Sequence, residues 1–245
     1  MKQFIPAAWR LNFKVAQRHW LDWSGGESQN FVQSQRLLDT EKRFFQPQIQ
    51  ITQPIFTTEY SDNKKHNLAL AIAQIQDILI SPNQIFSFWH LVGCPSQKRG
   101  YLAGRAIAKD QLTAEVGGGL CQLSGLIYFL ILKAGIVPLE RHPHSQDIYT
   151  EASRFAPLGS DATVVYGYKD LRFRNPFSFP FYFQFDLQSQ AIQAEIYAPE
   201  SFPQLRLEFK QAELAKGVQV QTIRYRLDES HYEVIDSTFY PKLLC

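Results

Sequence analysis

The sequence predicts an α+β fold, a single mixed domain with a buried central helix packed on an antiparallel-rich sheet and a strand-rich C-terminal part. Three observations carry this. Helical periodicity is concentrated in residues 8–23 and 61–81, extended patterns dominate from residue 136 onward, and the segment 120–134 between them is apolar on every side. A doubly wound parallel sheet would instead interleave helices and strands along the whole chain. At 245 residues, 45% of them apolar, there is material for one large domain or two small ones. We divide the chain into an N-terminal helical and loop extension over 1–59, a core over 60–200, and a strand-rich extension over 201–245 packed on that core.

Residues 8–23 set Trp9, Phe13, Ala16 and Trp20 at near-helical spacing, with Arg10, Lys14, Arg18 and His19 elsewhere around the turn. The expected role is a helix docked on the body; the alternative is a basic helix lying on a membrane surface. Residues 24–58 are rich in Gln, Ser and Gly, carry Pro47 and Pro54, and read as loops and short elements. From Ser61 or Asp62 as N-cap, Leu68, Ile72, Ile75 and Leu79 predict a helix that Ser81 and Pro82 stop. Residues 85–89 predict a short strand, and 106–116 two strands turning at Lys109 to Gln111. Three glycines then precede a helix from Leu120 to Ala134, with Gly135 as its left-handed stop. Beyond it, 136–141, 162–166 and 171–174 read as extended. The aromatic run 177–185 has 192–197 as its hairpin partner, and 204–210 with 217–240 form a terminal meander.

Charge narrows the partners. Twenty-five Lys and Arg against 23 Asp and Glu leave a formal charge of +2, too balanced for an electrostatic footprint on nucleic acid, so no nucleic-acid partner is expected. The three cysteines, Cys94, Cys121 and Cys245, form no C-x-x-C pair and imply no disulfide framework. Lys2, Arg10, Lys14 and Arg18 interrupt the first 23 residues, which therefore do not read as a signal peptide. The apolar window 120–139 has about the 20-residue length of a membrane helix, but Gln122, Ser124, Lys133, Gly135 and Pro138 break it. A cytoplasmic chain without a transmembrane segment is expected.

The chemistry concentrates in G-G-G-L-C-Q-L-S-G-L-I-Y (117–128), E-R-H-P-H-S (140–145) and G-S-D-A-T-V (159–164). Gly117, Gly118 and Gly119 let the backbone approach a ligand, and the helix that follows presents free N–H groups and a positive dipole end. Cys121 falls in the first turn of that helix, where the dipole favours thiolate. A thiol, an imidazole to deprotonate it and a carboxylate to orient the imidazole come in chain order as Cys121, His142 or His144, and Asp161, with the amides of Gly119 to Gln122 as oxyanion donors. Ser124 shares the polar line of the helix with Cys121 and Tyr128. Side chains alternate on a strand, so His142 and His144 are expected on one face, and Pro143 places them at an edge or exit. His144, farther along that exit, is favoured as base, and His142 as a substrate-contacting or supporting group.

Two other readings stay open for these residues. Cys121, His142 and His144 could hold zinc, with Asp161 or water as fourth ligand, although Cys94 and Cys245 offer no second pair and no metal or cofactor is expected to be required. Alternatively the glycines make a tight turn, the histidines tie loops, and the protein is a non-catalytic binding module. Arg172 and Arg174, on one face of the strand 171–174, would then hold a carboxylate or phosphate. The ligand expected under either the catalytic or the binding reading is a peptide-like small molecule or cell-wall precursor. The oligomeric state is left open by the sequence.

Six segments in order, I-F-S-F-W-H-L-V-G (85–93), R-G-Y (99–101), G-G-G-L-C-Q-L-S (117–124), E-R-H-P-H-S (140–145), G-S-D-A-T-V (159–164) and D-L-R-F-R-N (170–175), resemble the VanW-like family over about residues 60–190. The resemblance implies a link to glycopeptide (vancomycin) resistance or cell-envelope biology, including peptidoglycan, without naming a reaction. It places Cys121, His142, His144, Asp161, Arg172 and Asn175 on the family's motif positions, Asn175 thereby joining the substrate-binding candidates. Cys94 and Cys245 fall outside the motifs, and Gly125 stands where many members carry threonine.

Overall fold

The computed structural model describes residues 6–56, 59–108, 111–144, 155–226 and 232–242. In chain order these form α1 (Ala7–Ser24), α2 (Asp39–Lys42), β1 (Gln46–Pro54), α3 (Ser61–Ile75), β2 (Ile85–Ser87), α4 (Phe88–Val92), β3 (Ala103–Ala108) and β4 (Gln111–Val116). There follow α5 (Leu120–Lys133), β5 (Pro138–Glu140), β6 (Arg172–Arg174), β7 (Tyr182–Leu187), β8 (Ala191–Ala198), β9 (Leu205–Leu214), β10 (Gly217–Arg226) and β11 (Tyr232–Pro241). The expected turn at Lys109 to Gln111 falls largely outside the described residues, as do Ser145 and Cys245.

All strand pairs are antiparallel, in sheets ordered β1-β8-β7, β2-β6-β5, β11-β10-β9 and the hairpin β3-β4. This is the α+β arrangement that the order of patterns predicts. Helix α5 is its centre: Leu123, Leu126, Ile127, Tyr128, Leu130, Ile131 and Leu132 are all fully buried, because a helix apolar all round has no side to give to water. In β8, Ile192, Ala194, Ile196 and Ala198 point inward at alternate positions while the residues between them are half-buried. Phe86 stacks on Phe173 at 4.7 Å, with Phe181 and Phe183 packed against the pair, joining the β2-β6-β5 sheet to β7 through aromatic contacts.

Several elements depart from their patterns, each for a packing reason. The helix α3 stops at Ile75; Asp77 takes φ 63° and residues 78–80 become extended, with Ile80 N–H bonded to Phe181 and Asp77 N–H to Phe183. Ile75, Ile78 and Leu79 fit a helical period, but Ile78 and Ile80 are buried as a strand buries alternate residues. The strand at 85–89 ends at Ser87, whose hydroxyl caps α4 by accepting from His90 N–H at 3.1 Å and donates to Asp170 at 2.6 Å. Ser87→Ala is expected to cost about 1–2 kcal/mol, read as a lower urea midpoint. Residues 24–58 contain the nine-residue strand β1, whose glutamines hid its alternation.

The largest departure concerns α1. Its docked residues are Leu11, Val15, Arg18 and Asp22, while Trp9, Phe13, Trp20 and Trp23 are 73%, 68%, 62% and 71% exposed. The helix is docked on the body as expected, but its aromatic side chains are not the ones that pack there. Gly167, at φ 78°, lies so close that a Cβ there would meet Leu11 at 2.7 Å, and Asp22 accepts two hydrogen bonds from Arg172, at 2.7 and 3.1 Å. Arg18 pairs with Glu140. Ion pairs and a glycine contact, rather than aromatic burial, fix this helix.

Candidate active site

The N-terminus of α5 is built by close backbone approach. Gly119, at φ 99°, precedes the first helical residue, and a Cβ on Gly118 would sit 2.2 Å from the Gly104 backbone of β3. Gly117 is likewise pressed against Pro95. The first two glycines thus allow the turn to pack closely against the chain itself. Gln122 N–H bonds Gly119 carbonyl at 3.0 Å and is removed from the oxyanion donors expected here. The Gln122 side chain donates to Pro54 at the end of β1, and Ser124 is fully buried with its hydroxyl on the Ala162 carbonyl at 2.7 Å, so both tie α5 into the fold rather than meet a substrate.

Cys121, in the first turn of α5, is partly exposed. Its Sγ lies 3.3 Å from Thr163 Oγ1 and 3.6 Å from the Val164 carbonyl. Burial opposes its ionisation, but hydrogen bonding and charge from His144, with help from the Thr163 hydroxyl, outweigh it and lower the thiol pKa. On the His144 side, burial likewise opposes the charged form, and Asp161 and Cys121 raise the imidazole pKa above its usual value. Each shift favours the charged form of its group.

Asp161 orients this imidazole. Its Oδ2 accepts from His144 backbone N–H at 2.7 Å and lies 2.8 Å from His144 Nδ1, leaving Nε2 for the thiol side. Its Oδ1 accepts from Arg141 at 2.9 Å and from the Tyr240 hydroxyl. Burial works against the carboxylate, yet His144 and Arg141 hold its pKa well below the carboxylate range.

Arg141, which the sequence offers only as an anion holder or an exposed charge, has a role that sequence reasoning did not find. Its side chain is only 2% exposed and spans the gap between the core and the terminal meander. It donates to the Asp161 backbone carbonyl at 2.7 Å, to Asp236 at 3.0 Å, to Thr238 at 2.5 Å and to Tyr240 at 3.0 Å, and its guanidinium lies 5.1 Å over the Tyr128 ring. The available signal was an arginine flanked by the motif residues Glu140 and His142, whose partners on β11 no local pattern reveals.

The two histidines do not share a face. The strand β5 ends at Glu140, so the alternation expected of 142 and 144 lapses at Pro143. His142 Nε2 lies 3.0 Å from Glu140 Oε1, within the Glu140, Arg18, Arg172 and Asp170 cluster on the α1 side. Burial opposes the charge of Glu140, and Arg18 and His142 more than compensate. Cys121, His142 and His144 therefore do not converge, and among the described residues no cluster of three His, Cys, Asp or Glu has the geometry to hold a metal.

The expected anion clamp is also corrected. Arg172 is engaged by Asp22 and, at 2.9 Å, by Asp170, and stacks over Phe31 at 5.2 Å, so it has no free fork for a ligand. Arg174 donates to the Asn83 carbonyl at 2.9 Å and reaches Glu27 at 3.4 Å. Asn175 is fully buried, its amide donating to the carbonyls of Ile80 and Phe179, both at 2.9 Å, and its oxygen accepting from Phe177 N–H. It fastens the turn before β7.

The family model described as VanW like protein matches residues 63–197, a span that holds Cys121, Arg141, His144 and Asp161 but not Tyr240. The Enterococcus faecalis (strain ATCC 700802 / V583) protein named vancomycin B-type resistance protein VanW is 32% identical over 143 residues, covering 58% of this chain and 52% of that protein. The Bacillus subtilis (strain 168) protein named uncharacterized protein YoaR is 33% identical over 118 residues, covering 48% of this chain and 37% of its own. The match thus spans between about a third and a half of the length of these relatives. No solved structure matches the chain.

Proposed function

The chain belongs to the VanW-like family, and we propose that it is a cysteine-dependent acyl-transfer or amide-cleaving protein acting on a peptide-like substrate. The family is linked to vancomycin resistance through the relative of that name, which makes a cell-wall precursor the substrate class to try first. The observation that carries the reading is the continuous hydrogen-bonded line from Arg141 and Tyr240 through Asp161 to His144, with the Cys121 thiol beyond. A thiol, an oriented imidazole and a satisfied carboxylate in that order are what nucleophilic acyl chemistry needs.

In the proposed reaction the Cys121 thiolate attacks the substrate carbonyl carbon, and the displaced π electrons become an oxyanion received by the Leu120 and Cys121 amides at the start of α5. Collapse breaks the carbon–nitrogen bond, and the leaving amine takes the proton held on His144 Nε2. The neutral imidazole then deprotonates an incoming water or amine, which attacks the thioester and returns Cys121 as thiolate and His144 as imidazolium. Asp161 stays ionised throughout and holds the tautomer.

A test uses p-nitrophenyl acetate, which needs no knowledge of the natural substrate. One acetyl group should appear on the Cys121 peptide by mass spectrometry, release of nitrophenolate should show a burst, and Cys121→Ser should lose the burst. Iodoacetamide labelling of the Cys121 peptide should titrate below the ordinary thiol pKa of about 8.5. Absence of acetylation together with a labelling pKa near that value would leave a binding module as the function.

A further inference from the structure

We propose that the outward face of α1 is a docking surface for an anionic lipid bilayer, on which the helix lies in the interfacial plane. The inference is independent of the thiol chemistry. At 100° per residue, Trp9, Phe13, Ala16, Trp20 and Trp23 form one outward stripe, and the four aromatic side chains on it are more than three-fifths exposed. Arg10 and Lys14, both exposed, lie together on one side of the helix, roughly 100–140° round from Trp9, between the stripe and the docked face. The helix has a single carboxylate, Asp22, which points the other way and is held by Arg172. The exposed half of α1 is therefore aromatic and cationic with no acid on it.

This composition selects the occupant. The body already holds the opposite face through Leu11, Val15, Arg18 and Asp22, so the stripe is not waiting to close onto its own domain. A second copy of this helix offers no free acid to answer Arg10 and Lys14, its one carboxylate, Asp22, being held by Arg172. Indole rings favour the headgroup boundary, where an apolar body and a polar N–H are both satisfied, and basic side chains are drawn to anionic headgroups. A helix of 18 residues is about 27 Å long, and its stripe would sink roughly 5–10 Å into that boundary. No helix among the described residues is long and apolar enough to cross a membrane, so the contact proposed is on the surface. Gly167, against which α1 rests, is four residues from Thr163 beside the thiol.

Three of the four tryptophans, Trp9, Trp20 and Trp23, lie on the stripe, so intrinsic fluorescence reads it directly. The full chain is titrated with vesicles of phosphatidylcholine mixed with phosphatidylglycerol and with vesicles of phosphatidylcholine alone, and binding is checked by flotation. The expected result is a blue shift with co-flotation on the mixed vesicles, weakened by salt. Phe13→Ser with Trp20→Ser should lower partitioning roughly tenfold or more, and Arg10→Glu with Lys14→Glu should erase the preference for the anionic lipid. All four positions are exposed, and an unchanged Cys121 labelling profile verifies the fold. Failure of the wild-type chain to float, or partitioning indifferent to both double variants, would overturn the proposal. So would a concentration-dependent dimer in sedimentation velocity that the Phe13 and Trp20 substitutions dissolve, which would assign the face to a second copy.

Discussion

Replacing Arg141 with methionine is expected to destabilise the protein by about 3–5 kcal/mol, because it removes a buried cation and leaves two half-buried carboxylates without it. The guanidinium satisfies Asp161 and Asp236 together and links β11 to the segment 159–161. Methionine keeps the volume over the Tyr128 ring, so the loss reports the charge and not a cavity. The sign of its pH dependence follows from Asp161, whose folded-state pKa is depressed. A depressed carboxylate contributes stability that is present above its unfolded pKa and is lost as pH falls through the folded one. The gap between wild type and variant should therefore be widest near neutrality and narrow in acid. Urea titrations at neutral and acidic pH check this, with the exposed Arg206→Met as reference; equal losses for the two variants would remove Arg141 from the role assigned here.

His144→Ala should slow acetylation of Cys121 at neutral pH by about 100- to 10,000-fold, the range lost when a positioned proton-transfer group is removed. It should also raise the labelling pKa of the thiol, since burial then acts with less opposition. His142→Ala should leave both quantities near wild type, because His142 serves Glu140 on the other side of the chain. On an anilide substrate, whose leaving amine must take a proton, the rate for the wild-type protein should rise as pH climbs through the lowered thiol pKa and decline where the imidazolium, its pKa raised, gives up its proton. A pH profile lacking the alkaline limb would mean that the proton on His144 is not used. The two histidine variants together separate a catalytic partner from a general loss of stability, which urea midpoints measured alongside would expose.

What the sequence determined by itself is whatever local chemistry dictates. The all-round apolar 120–134 segment had to be an enclosed helix, alternation over 191–198 had to give a strand with one buried face, and the meander at the C-terminal end follows from the same period. The candidacy of Cys121, His142, His144 and Asp161 also needed no coordinates, since a thiol in a first helical turn and imidazoles beside a proline stand out in the chain, but that His142 sits apart from the other three did. Tertiary structure decided the rest, because it turns on partners distant in sequence. Arg141 meets Tyr240 only when β11 folds back across 99 positions, and Arg172 is neutralised by Asp22 across 150. The same long-range ion pairs set the face on which α1 docks, turning three tryptophans toward solvent against the burial that their apolar surface alone would favour. Periodicity assigns residues to faces, but which face is buried depends on the charges and glycines that the rest of the chain brings to it.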